Sequence, residues 1–176
     1  TYEIIEDVKN FRSEIGVLFL NSYNRDVLTK MFDDNRLTYT SLFKARPHIF
    51  VSKSNPLAKH KVVSLEDLED FPYLSYDQGI HNSFYYSEEI LSQIPHKKSI
   101  VVSDRATLFN LLIGLDGYTI ATGILNSNLN GDNIVSIPLD IDDEIDIVYL
   151  KHEKATLSKM GEKFLDNLVK EVTFDN

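Results

Sequence analysis

The chain has 176 residues, 43% hydrophobic, 11% aromatic and 26% charged, a balance that builds a hydrophobic core and excludes a disordered tail, a collagen-like chain or a disulfide miniprotein. Its 18 Lys and Arg against 27 Asp and Glu give a formal charge of −9, a poor surface for phosphate backbones, so nucleic acid is not expected as the partner of these residues. Cysteine is absent, which removes thiolate nucleophiles and cysteine-based zinc sites and makes the cytoplasm the default compartment, and no run approaches the ~18 apolar residues of a membrane span.

The chain starts at Thr1 rather than Met, and residues 2–11 already read as a helix with Ile4, Ile5, Val8 and Phe11 on one face. A fragment excised from a longer protein is expected; the alternative is a complete domain whose tag has been removed. Residues 15–20 form a continuous apolar run, the pattern of a strand buried on both faces of a parallel sheet. That strand needs a neighbour, either upstream of Thr1 or from the C-terminal segment, unless it is an edge. Val27, Leu28, Met31 and Phe32 then recur at helical spacing, and residues 37–43 and 48–52 are β-rich with Pro47 between them.

Ser64 and Asp67 frame a capping-box pattern at the start of a short helix. Residues 73–76 read as a strand, and a helix is predicted from Asn82 or Ser83, with Ile90, Leu91 and Ile94 inward and Pro95 as its stop. Residues 100–121 read as a βαβ unit: strand 100–102, a cap at Ser103 and Asp104, a helix carrying Leu108, Leu111, Leu112 and Leu115, then strand 118–121. Strands at 134–137 and 145–150 follow. A last helix begins near Ser158, with Met160, Phe164, Leu165, Leu168, Val169 and Val172 on one side. Strands and helices alternate nearly throughout, which argues for an α/β class.

Signals for chemistry are weak. The histidines at 48, 60, 81, 96 and 152 show no metal-ligand spacing, and each reads as a surface or satisfied residue. Asp140, Asp142, Asp143, Glu144 and Asp146 lack the glycine and register of a calcium loop and read as a solvated hairpin. No P-loop, dinucleotide fingerprint or GxSxG is present, so no cofactor, metal or catalytic residue is expected. What remains is a set of polar loops directly after buried strands: Asn21, Ser22 and Tyr23; residues 77–83; and residues 103–107. In α/β sheets small ligands sit outside the carboxyl ends of strands, near helix N-termini. The alternative for Asn82, Ser83 and Ser103 is that they only cap helices, and Asp104 is expected to cap.

Residues 43–58, continuing through Val63-Ser64-Leu65-Glu66-Asp67-Leu68 to Phe71-Pro72-Tyr73-Leu74, closely resemble the hinge and second lobe of the effector-binding domain of LysR-type transcriptional regulators. Residues 103–121, with Ile113-Gly114-Leu115-Asp116-Gly117-Tyr118, and residues 157–168 match two further blocks of that family in order.

The resemblance implies a two-lobed, type 2 periplasmic-binding-protein-like α/β fold, with lobe II complete at 43–140, a partial lobe I at 1–42, and residues 141–176 returning to lobe I. It implies a non-enzymatic sensor of a small, often anionic metabolite held between the lobes. Asn21 and Ser22 would contribute from lobe I, and Tyr76, Asp77, Gln78, Gly79, Ile80, Asn82 and Ser83 from lobe II. The family's other anion loop in lobe I has no match here, and Asp77 argues against a strongly anionic effector. DNA would be met only through an absent N-terminal winged helix-turn-helix, by a homodimer or homotetramer. A solute-binding protein of the same architecture, and an enzyme on this scaffold using Ser83 or His81, are the alternatives.

Overall fold

The computed structural model describes residues 1–81, 83–87, 89–125 and 131–174. In chain order its elements are α1 (Tyr2–Lys9), β1 (Gly16–Leu20), α2 (Arg25–Asp34), β2 (Leu37–Ala45), β3 (His48–Ser52), β4 (Tyr73–Tyr76), β5 (Ser99–Val102), α3 (Arg105–Gly114), β6 (Thr119–Ala121), β7 (Ile134–Pro138), β8 (Ile145–His152) and α4 (Lys159–Phe174), with short 3-10 turns at Pro56–Lys59, Glu66–Leu68 and Phe84–Tyr86. The chain divides into two compact units, Thr1–Ala45 with Glu144–Asn176, and Arg46–Asp143.

The first unit is built on a three-stranded sheet in the order β1-β8-β2. Both pairings are antiparallel, which corrects the parallel sheet expected for residues 15–20. The neighbour of β1 comes from the C-terminal segment, and β8 runs opposite to both of its partners. The uninterrupted apolar run of β1 still has a physical basis, because Leu18 and Leu20 are buried on one face while Val17 and Phe19 are half-covered on the other. Helix α1 lays Ile5 and Val8 over this strand, and a Cβ on Gly16 would meet Ile4 Cγ2 at 2.6 Å, so the close approach of α1 requires glycine. Helix α2 buries Leu28 and Phe32. On α4 the apolar residues Met160 and Phe164 are exposed, while Gly161 is buried.

Of the residues expected to form a solvated acidic hairpin, Asp140, Asp142 and Glu144 are exposed as expected, but the hairpin itself is not formed. β7 and β8 lie in different sheets, and Asp146 on β8 is buried, accepting from Ser41 Oγ on β2 at 2.5 Å and from Arg25 Nη2 on α2 at 3.2 Å. Glu144 pairs with Lys44 at 2.6 Å.

In the second unit β3 is flanked by β6 and β7, both antiparallel, and β4 and β5 form a parallel pair. Among the described residues a parallel bridge, Tyr73 to Tyr118, joins the two groups. The predicted βαβ unit is therefore split: Tyr118, just ahead of β6, bridges to β4 and β6 then pairs with β3, so β5 and β6 are not neighbours. Helix α3 closes the core formed by Phe50, Leu74, Val102, Leu108, Leu112 and Ile134.

The helix predicted from Asn82 or Ser83 is absent among the described residues; a 3-10 turn at Phe84–Tyr86 stands there, and Asn82 lies outside the described residues. Ser87 is extended and Leu91 has φ of 62°, in the left-handed region, so an i to i−4 hydrogen-bond ladder is interrupted twice. Ile90 and Leu91 reach the interior all the same.

Candidate functional site

The carboxyl ends of β4 and β5 lie side by side, paired up to Tyr76 with Val102. Their ladder alternates. The Tyr73 N–H donates to Lys98 O at 2.9 Å and the Asp77 N–H to Val102 O at 2.8 Å on the β5 side, while the Leu74 N–H donates to Tyr118 O at 2.8 Å on the other. By this alternation Tyr76 N–H faces the β6 side, where β6 has already turned toward β3. A divergence of neighbouring strands at their carboxyl ends is where open α/β sheets take ligands.

The partner of Tyr76 N–H at this point is the side chain of Glu89, through Oε1. Glu89 is only 4% exposed, and its Oε2 accepts from Ser87 Oγ at 3.3 Å. Nothing in the sequence reading pointed to Glu89. It lies thirteen residues from Tyr76, and its role depends on a strand divergence that periodicity does not report.

The loop after β4 is shaped by its own side chains. Gly79 N–H donates to Asp77 Oδ1 at 2.9 Å in an Asx-type turn, with Gly79 at φ of 59°, and Gln78 Nε2 donates back to Tyr76 O at 3.3 Å. Ile80 is 91% exposed, His81 half-buried and Ser83 exposed. Ser83 precedes the 3-10 turn without a side-chain capping bond. After β5, Asp104 caps α3 as expected, accepting from Thr107 N–H at 2.9 Å and Thr107 Oγ1 at 2.7 Å. These bonds hold its carboxyl below the usual carboxylate range.

The lobe I candidates lie in the other unit. Asn21 is buried between β1 and α2, and its Oδ1 accepts from Tyr23 and Asn24 N–H, each at 3.1 Å, so the side chain shapes the entry to α2. Ser22 beside it is exposed. The structure thus brings Tyr76, Asp77, Gln78 and Gly79 together with Ser103 and Asp104 in one unit, and Asn21 with Ser22 in the other.

A different cluster occupies the opposite end of β4. The His96 ring stacks on Tyr73 at 3.8 Å, and its Nδ1 is 2.9 Å from the Tyr118 hydroxyl. Among the described residues Tyr73 Oη and His96 Nε2 have no hydrogen-bond partner. Burial lowers the His96 pKa, pushes Tyr118 up to about 12 and raises Tyr73 well above the ordinary tyrosine value. A cavity of about 390 Å³ adjoins this cluster, lined by Leu65, Leu68, Phe71, Ile94, His96 and Tyr118. His96 is thus neither a surface nor a fully satisfied histidine, contrary to expectation.

Loops gathered at the carboxyl ends of diverging strands are the arrangement in which open α/β folds take their ligands. The sequence matches the family model described as the LysR substrate binding domain over residues 1–173, and the chain belongs to that family, whose fold is the type 2 periplasmic-binding-protein-like fold. No curated protein sequence matches it. Among solved structures it is similar to a putative LysR family transcriptional regulator from Pseudomonas aeruginosa, with a TM-score of 0.64 and 16% identity, covering 98% of this chain and 57% of that one. It is also similar to the effector binding domain of QuiR in complex with shikimate, with a TM-score of 0.64 and 19% identity over 97% of this chain and 77% of that one. The BenM effector binding domain with its effector benzoate gives a TM-score of 0.60 and 19% identity over 98% and 74%. The chain therefore spans little more than half the length of the regulator from Pseudomonas.

Proposed function

We propose that this chain is the effector-sensing part of a LysR-type transcriptional regulator of the cytoplasm. It binds a small metabolite and transmits the change to an N-terminal winged helix-turn-helix, through which a homodimer or homotetramer contacts DNA. Residues 43–140 act as lobe II, and residues 1–42 with 141–176 as a partial lobe I. The observation that carries this reading is the divergence of β4 from β6 at Tyr76, with the loops after β4 and β5 side by side at the same edge. Effector contacts come from Tyr76, Asp77, Gln78, Gly79, Ile80, Asn82 and Ser83, joined by Asn21 and Ser22. QuiR and BenM, named for complexes with shikimate and benzoate, support a small-molecule effector. No helix among the described residues is long and apolar enough to cross a membrane.

Function on this reading is a shift in conformational population by differential binding, without covalent chemistry. A thermal-shift screen of amino acids, sulfate, sugars, amines and aromatic acids at millimolar concentration tests it. At least one compound raises the melting temperature with a saturable dose curve, and Gln78→Ala weakens that shift. A screen in which nothing raises the midpoint, or a shift that Gln78→Ala leaves unchanged, contradicts the assignment.

A further inference from the structure

We propose that the cavity beside His96 is a second small-molecule site, which takes an uncharged, largely apolar one-ring ligand bearing a hydroxyl group, a phenol or an aromatic alcohol. It lies at the end of β4 opposite Tyr76 and stands independently of the effector reading of residues 76–83.

A volume of about 390 Å³ falls within the range of small-molecule pockets and exceeds the ~150 Å³ in which a benzene ring fits. Much of the wall is apolar, formed by Leu65, Leu68, Phe71 and Ile94. Leu68 is buried and the other three are partly covered, so a bound ring removes their remaining surface from water.

His96 and Tyr118 complete the wall, and their hydrogen bonding is unfinished. His96 Nδ1 is 2.9 Å from the Tyr118 hydroxyl, a bond that either tautomer allows. With the ring proton on Nε2, Tyr118 donates to Nδ1, and an Nε2–H donor and a Tyr118 lone pair are left over. With the proton on Nδ1, Nε2 is the unused acceptor and the Tyr118 O–H the unused donor. Either way one donor and one acceptor stay unspent, the complement of a hydroxyl, which gives and takes a bond. Nε2 and the Oη of Tyr73, whose ring stacks on His96, are both buried without a partner among the described residues. Such burial costs stability, and a group that bonds to either atom recovers that cost.

Burial lowers the His96 pKa, so the imidazole is neutral at neutral pH. The exposed charges at the edge are Glu66 and the ion pair of Glu69 with Lys97, which sum to one negative charge. Neither the imidazole nor this edge attracts an anion, so an aromatic acid is disfavoured against the neutral hydroxyl compound.

NMR of the isotope-labelled 176-residue chain, titrated separately with phenol, benzene and sodium benzoate, tests the site. Phenol is expected to shift the amides of Leu68, Phe71, Ile94 and Tyr118 saturably, with a midpoint at least about fivefold below that of benzene. Benzoate is expected to leave these resonances in place. In His96→Phe, which keeps a ring against Tyr73, the phenol and benzene midpoints are expected to converge to within about twofold. If that variant does not fold, the His96 Nε2 nitrogen resonance of the native chain carries the same information: phenol moves it by a new hydrogen bond, and benzene by a ring current alone.

Phenol that shifts none of these amides saturably up to about 20 mM means that the cavity holds water only, and overturns the site. Saturation at residues 76–79 with the cavity resonances unmoved assigns phenol to the strand-end loop and likewise overturns it. Equal phenol and benzene midpoints in the native chain, a benzoate midpoint at or below that of phenol, or a phenol preference that survives in His96→Phe overturns the recognition of a neutral hydroxyl, and the proposal with it.

Discussion

His96 presents a neutral imidazole to a buried aromatic stack, with Nδ1 beside the Tyr118 hydroxyl and Tyr73 against its face. Burial lowers its pKa in the folded chain, whereas the unfolded imidazole titrates near about 6.5. The unfolded state therefore takes up a proton that the folded state refuses. The stability contributed by His96 is complete above about pH 6.5 and is lost as the pH falls below it. Thermal melts from about pH 7.5 to about pH 5.5 are expected to show a falling midpoint, and His96→Phe is expected to flatten that slope. An equal slope in the variant assigns the effect to other groups. Gly117 offers a purely steric test: an added Cβ meets Leu74 Cδ1 at 2.9 Å and Pro72 O at 3.2 Å, a backbone atom that cannot rotate away. Gly117→Ala is expected to destabilise the chain by about 1–3 kcal/mol, measured from urea midpoints.

Among the elements, the apolar runs with clear punctuation were legible: β1, β3, β7 and β8 stand where alternation and turn residues put them, and α3 follows the leucine spacing behind its Asp104 cap. The segment after β4 was not. Ile90, Leu91 and Ile94 have helical spacing, but Ser87 is extended, Leu91 has a positive φ, and between them Glu89 accepts from Tyr76 N–H. Pairing partners were equally hidden, since β1 and β8 meet across more than a hundred residues and strand direction leaves no local signature. Two tests belong here. Asp104→Ala is expected to speed hydrogen exchange at Thr107 N–H, whereas Asp104→Asn, which keeps an acceptor, largely preserves protection. Asp146 ties β8 to β2 and α2, and Asp146→Ala is expected to cost about 1.5–3 kcal/mol in urea unfolding because Ser41 and Arg25 lose a charged acceptor.

For the whole molecule, the family was readable in ordered blocks from residue 43 onward, and the match over residues 1–173 and the fold agree with it. The candidate site was readable only in part. Residues 77–79 stood out as a polar, glycine-containing loop behind a strand, but the Glu89 side chain on Tyr76 N–H and the separation of β5 from β6 arise from tertiary geometry. Effector sensing requires that a small molecule bind at that loop. Amide hydrogen exchange across the chain, with and without the compound that most raises the melting temperature, addresses this directly. Added protection is expected at residues 76–83 and at Asn21 and Ser22, with β2 and β8 unchanged. Protection confined to the cavity beside His96, or to β2 and β8, would contradict effector sensing there.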